Sequence, residues 1–537
     1  MLDLDTIARD RESLRQRWKA AGFHAGRSLS RALAEGVRRH PDVESVFYAQ
    51  QQPRRTTNRE LYAEGLRVAS ALSGQGLGRG DVVAVQLPTW LETAALFQGI
   101  AHVGATALPI VSIYGPSEVE FILRQSGARA FFVPARWRNT DYLARCERFA
   151  ALPRLEHIVV LGRDAPGRFT AWDDLLRAAA PGFEPLDADA DDVCLLMYTS
   201  GTSSAPKGVQ HTHDTLLWEW GRPTYANRGL YLANLPAGHY TGYGFLMRPA
   251  ILGAPMIFLD HWDAPFAAEV IERHRVKHGG GTPIFLFTLL RAAEEHGRDL
   301  SSLEAFSLAG QGMTPAMVAL ADAKGFPGAR VYGSTEHPTV TAFDPTLSFE
   351  RRAGSDGRID EGNQVRIVDD EGRDLPPGRE GEIATRGPEL FVGYLDSELD
   401  RESFLPGGWF KTGDVGRLDR DGFLFVTDRK KDIIIRGGEN ISSVEVEEVL
   451  SRHPAVAAAA AVAMPDATYG EKVCSFVELA PGASLSLAEV AEHFAHAGVA
   501  RQKTPERLEI VDQLPRNASG KVKKFELRRQ LREETAG

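Results

Sequence analysis

The chain has 537 residues, too many for one hydrophobic core, and its 43% hydrophobic and 25% charged residues form an ordinary soluble globular balance. A formal net charge of -10 excludes a general nucleic-acid coat, which needs a clustered positive field. The three widely spaced cysteines, Cys146, Cys194 and Cys474, exclude a disulfide framework or a metal knuckle and suit a reducing cytosol. Charges interrupt the N-terminal segment, so no secretory core is expected there. The apolar tract 455–464 (AVAAAAAVAM) is about half of the roughly 20 residues a spanning helix needs. The expectation is a cytoplasmic protein with no membrane anchor and no nucleic-acid partner.

In chain order, 81–87 (DVVAVQL) reads as a strand, 90–103 as a helix and 105–110 (ATALPI) as a second strand. Strand, helix and strand in so short a span imply parallel strands with helices on the faces. Segments 195–198, 253–259 and 329–332 repeat the theme, and ligands of such open sheets gather beyond the strand carboxyl ends. From about Gly354, short strands at 364–368, 381–385, 417–418 and 422–426 alternate with DDEG, PPG, LPGG and DRDG turns, which predicts a small antiparallel β region. Helices follow at 444–452 and 487–496. The predicted fold is therefore α/β. A large N-terminal domain (1–429) divides into doubly wound α/β subdomains (1–353) and a small antiparallel, barrel-like β subdomain (354–429). A small α+β C-terminal domain (430–537) begins at the charged stretch DRKKD.

The densest chemical signal is 198–209, YTSGTSSAPKGV, placed after a strand and expected to lead into a helix. Its hydroxyls, its glycine and Lys207 could wrap a polyphosphate. The lysine follows proline and precedes Gly208, so this is no Walker loop. The segment resembles the phosphate loop of the adenylate-forming superfamily of acyl- and aryl-CoA synthetases, peptide-synthetase adenylation domains and firefly-type luciferases. Ser204 stands where that family has its second glycine.

The resemblance runs along nearly the whole chain, and it implies the remaining roles. Thr199, Ser200, Gly201, Thr202, Ser203 and Lys207 hold phosphates, and 308–314 (LAGQGMT) supplies Gly310, Gln311 and Gly312 beside adenine. In the motif Tyr332-Gly333-Ser334-Thr335-Glu336 the ring packs on adenine, the threonine touches phosphate and the glutamate holds magnesium. Asp414 of Thr412-Gly413-Asp414 accepts from ribose hydroxyls, and Arg429 reaches ribose and phosphate. Lys521, in 514–521 (LPRNASGK), bridges the acid and the α-phosphate, so the catalytic set is Lys521, His239, Glu336 and Thr199. Lys431 is the hinge of a mobile C-terminal domain, and Arg436, Gly437, Gly438 and Glu439 line a coenzyme A tunnel. His239 of 234–240 (NLPAGHY) gates the acid pocket. The pocket lining expected from the resemblance is His239, Tyr240, Tyr243, Gly280, Thr282, Leu308, Gly310, Ser334 and His337, aromatic and small rather than charged.

The resemblance implies ATP-dependent activation of a small aromatic, alicyclic or medium acyl acid to acyl-AMP with release of pyrophosphate. Transfer to coenzyme A follows, with ATP, Mg2+ and coenzyme A as the required partners and the aryl- or alicyclic-acid CoA ligases closest in character. The alternative is a stand-alone enzyme that loads a carrier-protein phosphopantetheine. A homodimer stays open as an assembly.

Overall fold

The computed structural model describes residues 2–112, 114–162, 165, 167–199, 206–222, 229–308, 315–325, 327–436, 439–466, 469–497, 501–517 and 520–536. Two large sheets dominate the N-terminal part. In the first, Val82–Val85 lies between Thr106–Pro109 and Ala130–Pro134, all parallel. The sheet runs outward on one side through Val193–Thr199 to Lys207–Thr212 and Gly393–Tyr394, and on the other through His157–Leu161 to Thr170–Ala171. The second has the order Gly328–Arg330, Ala305–Leu308, His278–Gly281, Tyr231–Ala233, Met256–Leu259, Glu44–Ala49 and Gln52–Thr57, and only the last strand is antiparallel.

Both sheets bury one face against a shared helical layer. Helices Leu29–Arg39, Asn58–Gly74, Leu91–His102 and Tyr240–Leu252 supply Leu33, Val68, Phe97 and Met247 to a core that also contains Val83 and Leu195 of one sheet and Phe47 and Phe258 of the other. The near-continuous apolar strands follow from this, because a parallel strand is covered on both faces. Thr199, Gly281, Leu308 and Arg330 stand at strand carboxyl ends.

The predicted β region is a five-stranded antiparallel sheet, in which Trp409–Leu418 is far longer than the two-residue strand read at 417–418. The C-terminal sheet holds all but the first residue of the alanine tract within the strand Val456–Asp466. Alanine is the best helix former, and it enters a strand here because tertiary packing decides. Ala461 faces Val446 and Leu450 of helix Ser443–Ser451, while Ala460 faces Leu527 and Leu531 of helix Lys524–Ala536. Small side chains let a helix cover each face closely.

The junction between the parts is tied by charge. Asp428 accepts from the Ser443 amide at 2.5 Å and from its hydroxyl at 3.0 Å, and just past the boundary, within the C-terminal part, Arg528 donates to Asp432 at 2.5 Å. Among the described residues no helix is long and apolar enough to cross a membrane.

Candidate active site

Antiparallel pairing builds the first part of the site. Asp414 and Arg429 are cross-strand partners in the β subdomain, so their side chains share a face. The Arg429 Nε lies 2.7 Å from Asp414 Oδ1, and the Tyr332 hydroxyl donates to Asp414 Oδ2 at 2.6 Å. Three motifs distant in sequence therefore meet at one buried carboxylate. Burial first, then the Asp414 charge, pushes the Tyr332 hydroxyl well above its ordinary range and keeps it a donor.

Thr199 ends one strand and Lys207 begins the next, and the two are register partners. The antiparallel strand Lys207–Thr212 stands where a helix was expected, and the helix His213–Trp220 begins after it. Apolar strand residues Val209 and Tyr394 pair at the sheet edge, a signal that a Ser/Thr-rich loop obscures in the sequence. Ser200, Gly201, Thr202, Ser203 and Ser204 lie outside the described residues, as do Gly310, Gln311 and Gly312.

Lys207 Nζ lies 5.1 Å from the ring centroid of Tyr394, whose hydroxyl donates to Glu336 Oε1 at 2.9 Å. Lys207 and Glu336 are thus linked through one tyrosine that sequence reasoning did not single out. Burial, then the Glu336 charge, raises the Tyr394 pKa and holds its proton in place. His211 fixes the same motif from behind, with Nε2 2.8 Å from the Thr335 carbonyl oxygen, and burial holds it neutral.

The donor set fits a magnesium ion that travels with its nucleotide. Glu336 offers one oriented carboxylate, and no group of three His, Cys, Asp or Glu side chains among the described residues could cage an ion alone. Magnesium keeps most of its octahedron as water and phosphate oxygen, so one carboxylate suffices.

Lys521 enters from the C-terminal domain on a tight hairpin. The Asn517 amide donates to the Lys521 carbonyl and the Gly520 amide to the Asn517 carbonyl. Gly520 has φ +83°, and a Cβ there would stand 2.8 Å from Ile284 Cγ2 and 3.2 Å from Thr282 Oγ1. Only glycine lets the turn seat this closely on the N-terminal domain. Burial first, then the Arg429 charge, pushes Lys521 down to about 7, while Asp414 pulls the other way.

A cavity of about 360 Å³ opens beside these groups. Its wall includes His239, Tyr240, Gly280, Thr282 and Ser334 among the residues expected to line the acid pocket. Burial holds His239 down to about 4, so its imidazole is neutral. Three expected lining residues stand elsewhere. Tyr243 packs on Phe97 and Trp220 in the helical core, and Leu308 is buried under helix Pro283–Glu295. His337 is fully buried, bonded to Thr385 Oγ1 at 2.8 Å and Asn363 Oδ1 at 3.2 Å. Helical and strand geometry turn Tyr243 and Leu308 inward, and hydrogen bonds to Thr385 and Asn363 hold His337 there, which spacing alone did not reveal.

The cavity wall also corrects the expected absence of charge: Glu219 and Arg248 both line it. Behind them, Arg222 pairs with Glu389 at 2.6 Å and with Asp360, and burial pushes Glu389 up to about 8. Arg436 turns away from the cavity, bonded to Glu506 at 2.7 Å and stacked on Tyr469 at 4.0 Å. Gly437 and Gly438 lie outside the described residues; Glu439 pairs with Arg436 through the backbone. Lys431 is exposed and its carbonyl accepts from Arg528.

An open parallel α/β platform with Lys207 near a sheet edge, and Lys521 seated on the cavity wall from the C-terminal part, have the form of a nucleotide-dependent acid-activating enzyme. The chain belongs to the AMP-binding enzyme family: the family's sequence model matches residues 33–395, and that of its C-terminal domain matches 445–521. A medium-chain fatty-acid–CoA ligase of Escherichia coli (strain K12) is 34% identical over 86% of this chain and 84% of its own length. The salicyl-AMP ligase / salicyl-S-ArCP synthetase of Mycobacterium tuberculosis (strain ATCC 25618 / H37Rv) is 32% identical over 96% and 92%. The crystal structure of the anthranilate CoA ligase AuaEII in complex with anthranoyl-AMP superposes with a TM-score of 0.86 at 27% identity, covering 95% of this chain and 98% of that one.

Proposed function

We infer that this protein is an AMP-forming acid–thiol ligase that activates a small aromatic, alicyclic or medium acyl acid with ATP and passes the acyl group to coenzyme A. The observation that carries this reading is the seating of Lys521, through Gly520, against Thr282 of the cavity wall and within the field of Asp414 and Arg429. A carboxylate oxygen attacks the α-phosphorus, its bond to the bridging oxygen of pyrophosphate breaks, and acyl-AMP remains. Both partners are anions, so the residues present must offset their repulsion. Lys521 and Lys207 supply positive charge on opposite sides, with Thr199 and, in the loop between, Ser200, Gly201, Thr202 and Ser203 donating to phosphate. Asp414 accepts from ribose and Arg429 holds it, while Tyr332, Gly333, Ser334 and Thr335 border the nucleotide. Magnesium, held by Glu336 and the phosphates, would neutralise the departing pyrophosphate. His239 closes the acid pocket as a neutral ring.

In the second half-reaction a thiol attacks the acyl carbonyl and AMP leaves. We assign the division into 1–429 and 430–537 to this change of task, with Lys431 as hinge and 436–439 as the strip that then meets pantetheine. The relative that carries ArCP in its name keeps a carrier-protein thiol as the rival acceptor. The relatives named for coenzyme A favour the free thiol. Mixing acid, ATP and coenzyme A and weighing the products separates the readings: acyl-CoA supports this one, and an acyl group that moves only to a carrier protein supports the rival.

A further inference from the structure

We propose that the acid taken by this site carries a neutral protic group, a hydroxyl or an amine, remote from its carboxyl and held by Glu219 and Arg248. The proposal rests on the acid-activating reading above and deepens it. Glu219 lies near the end of helix His213–Trp220, and Arg248 lies in helix Tyr240–Leu252. Arg248 Nη2 is 3.7 Å from Glu219 Oε1, and both side chains are nearly buried, with 11% and 5% of their surface exposed. Both belong to the cavity wall. Glu219 Oε1 already accepts from Thr339 Oγ1 at 2.9 Å, whereas its Oε2 is buried without a hydrogen-bond partner among the described residues. The Tyr240 hydroxyl, also in the wall, is in the same state.

A buried carboxylate oxygen with no donor is costly, and a ligand that seals it from water with a methylene leaves that cost in place. A hydroxyl or amine would donate to Glu219 Oε2 and, through its lone pair, accept from Tyr240 or Arg248. The pair is neutral overall, which decides against charged substituents. A second carboxylate would suit Arg248 but face Glu219 in a low dielectric, and an ammonium would meet the reverse conflict.

Position places this pair away from the chemistry. A Cβ at Gly520 would stand 3.2 Å from Thr282 Oγ1, so the turn that carries Lys521 sits at this part of the wall, and we take the carboxyl end of the cavity to lie there and at His239. Thr241 and Arg248, both lining the cavity, are two turns apart on one helix, about 10 Å along its axis. The Arg248 guanidinium lies 4.8 Å from the Phe245 ring centroid, one turn back along the helix, which narrows that gap.

The test is acid-dependent pyrophosphate release by the full chain, with benzoate, meta- and para-hydroxybenzoate, para-aminobenzoate, terephthalate, para-(aminomethyl)benzoate, cyclohexanecarboxylate and octanoate. The proposal expects kcat/KM for at least one hydroxy- or aminobenzoate to exceed that of benzoate by about tenfold or more, with terephthalate and the ammonium acid below benzoate. Glu219→Gln and Arg248→Met should each shrink that advantage to within about twofold while benzoate itself still turns over. Thermal melting identifies a variant that does not fold, and the wild-type panel decides the matter without it. Benzoate, cyclohexanecarboxylate or octanoate equal to or better than every protic acid would overturn the proposal and leave acid activation standing, as would terephthalate ranking first. Release of pyrophosphate with none of these acids would instead overturn the acid-activating reading.

Discussion

The Tyr394 hydroxyl donates to Glu336 Oε1 at 2.9 Å while the Tyr394 ring lies beneath Lys207 Nζ. One side chain therefore sets the carboxylate that would hold magnesium and borders the lysine that would hold phosphate. The edge strand Gly393–Tyr394 makes this contact by pairing with Lys207–Thr212. Substituting Tyr394→Phe keeps the ring and removes the donor. A hydrogen bond to a charged group is typically worth about 1.5–3 kcal/mol, so pyrophosphate release should fall by about tenfold or more. Magnesium titration checks the cause, because the variant should need a higher concentration for half-maximal rate.

Lys521 supplies the pH dependence. Its pKa is pushed down to about 7, so its charged form is complete well below that value and is lost as pH rises through it. Adenylation needs the cation, and kcat/KM for ATP should therefore decline as pH rises above about 7. Bound phosphates favour the charged form, so kcat should hold to higher pH than kcat/KM. A Lys521→Arg enzyme, if active, should lose the alkaline limb in kcat/KM.

Gly520 tests how that lysine is delivered. Gly520→Ala places a Cβ 2.8 Å from Ile284 Cγ2 at φ +83°, so the hairpin must shift away from the cavity wall. Adenylation should drop by about tenfold or more, while cleavage of supplied acyl-AMP by coenzyme A should change little. Stopped half-reactions measure the two steps separately.

Lys431→Pro addresses the hinge. Proline fixes φ at one exposed position between the ribose-side arginine and the C-terminal sheet. Acyl-AMP should still form at near the normal rate, and thioester formation should fail. Equal loss of both steps would remove Lys431 from this role.

The parts of this protein that a sequence shows are those written contiguously. Tyr332 to Glu336, Thr412 to Asp414 and the turn before Lys521 each occupy a few adjacent residues, and the structure brings Tyr332, Asp414, Arg429 and Lys521 into one charged neighbourhood. A short β-branched apolar run and a helical pattern likewise read out the strand around Val83 and the helix after Trp90. Contacts made across distant elements left no such trace. Glu219 and Arg248 meet only because two helices cross beside the cavity, and Tyr394 meets Glu336 only through an edge strand. The alanine strand was silent for a different reason: its conformation is imposed by helices on both faces and opposes its own propensity.

Acid-dependent exchange of labelled pyrophosphate into ATP, run beside coenzyme A cleavage of supplied acyl-AMP, in the wild type and in Lys521→Ala, tests the delivery of Lys521 most directly. The expected result is exchange that requires the acid and falls by about 10²–10³ in the variant, with the cleavage step retained within a few-fold. Exchange that survives the loss of Lys521, or an equal collapse of both steps, would contradict it.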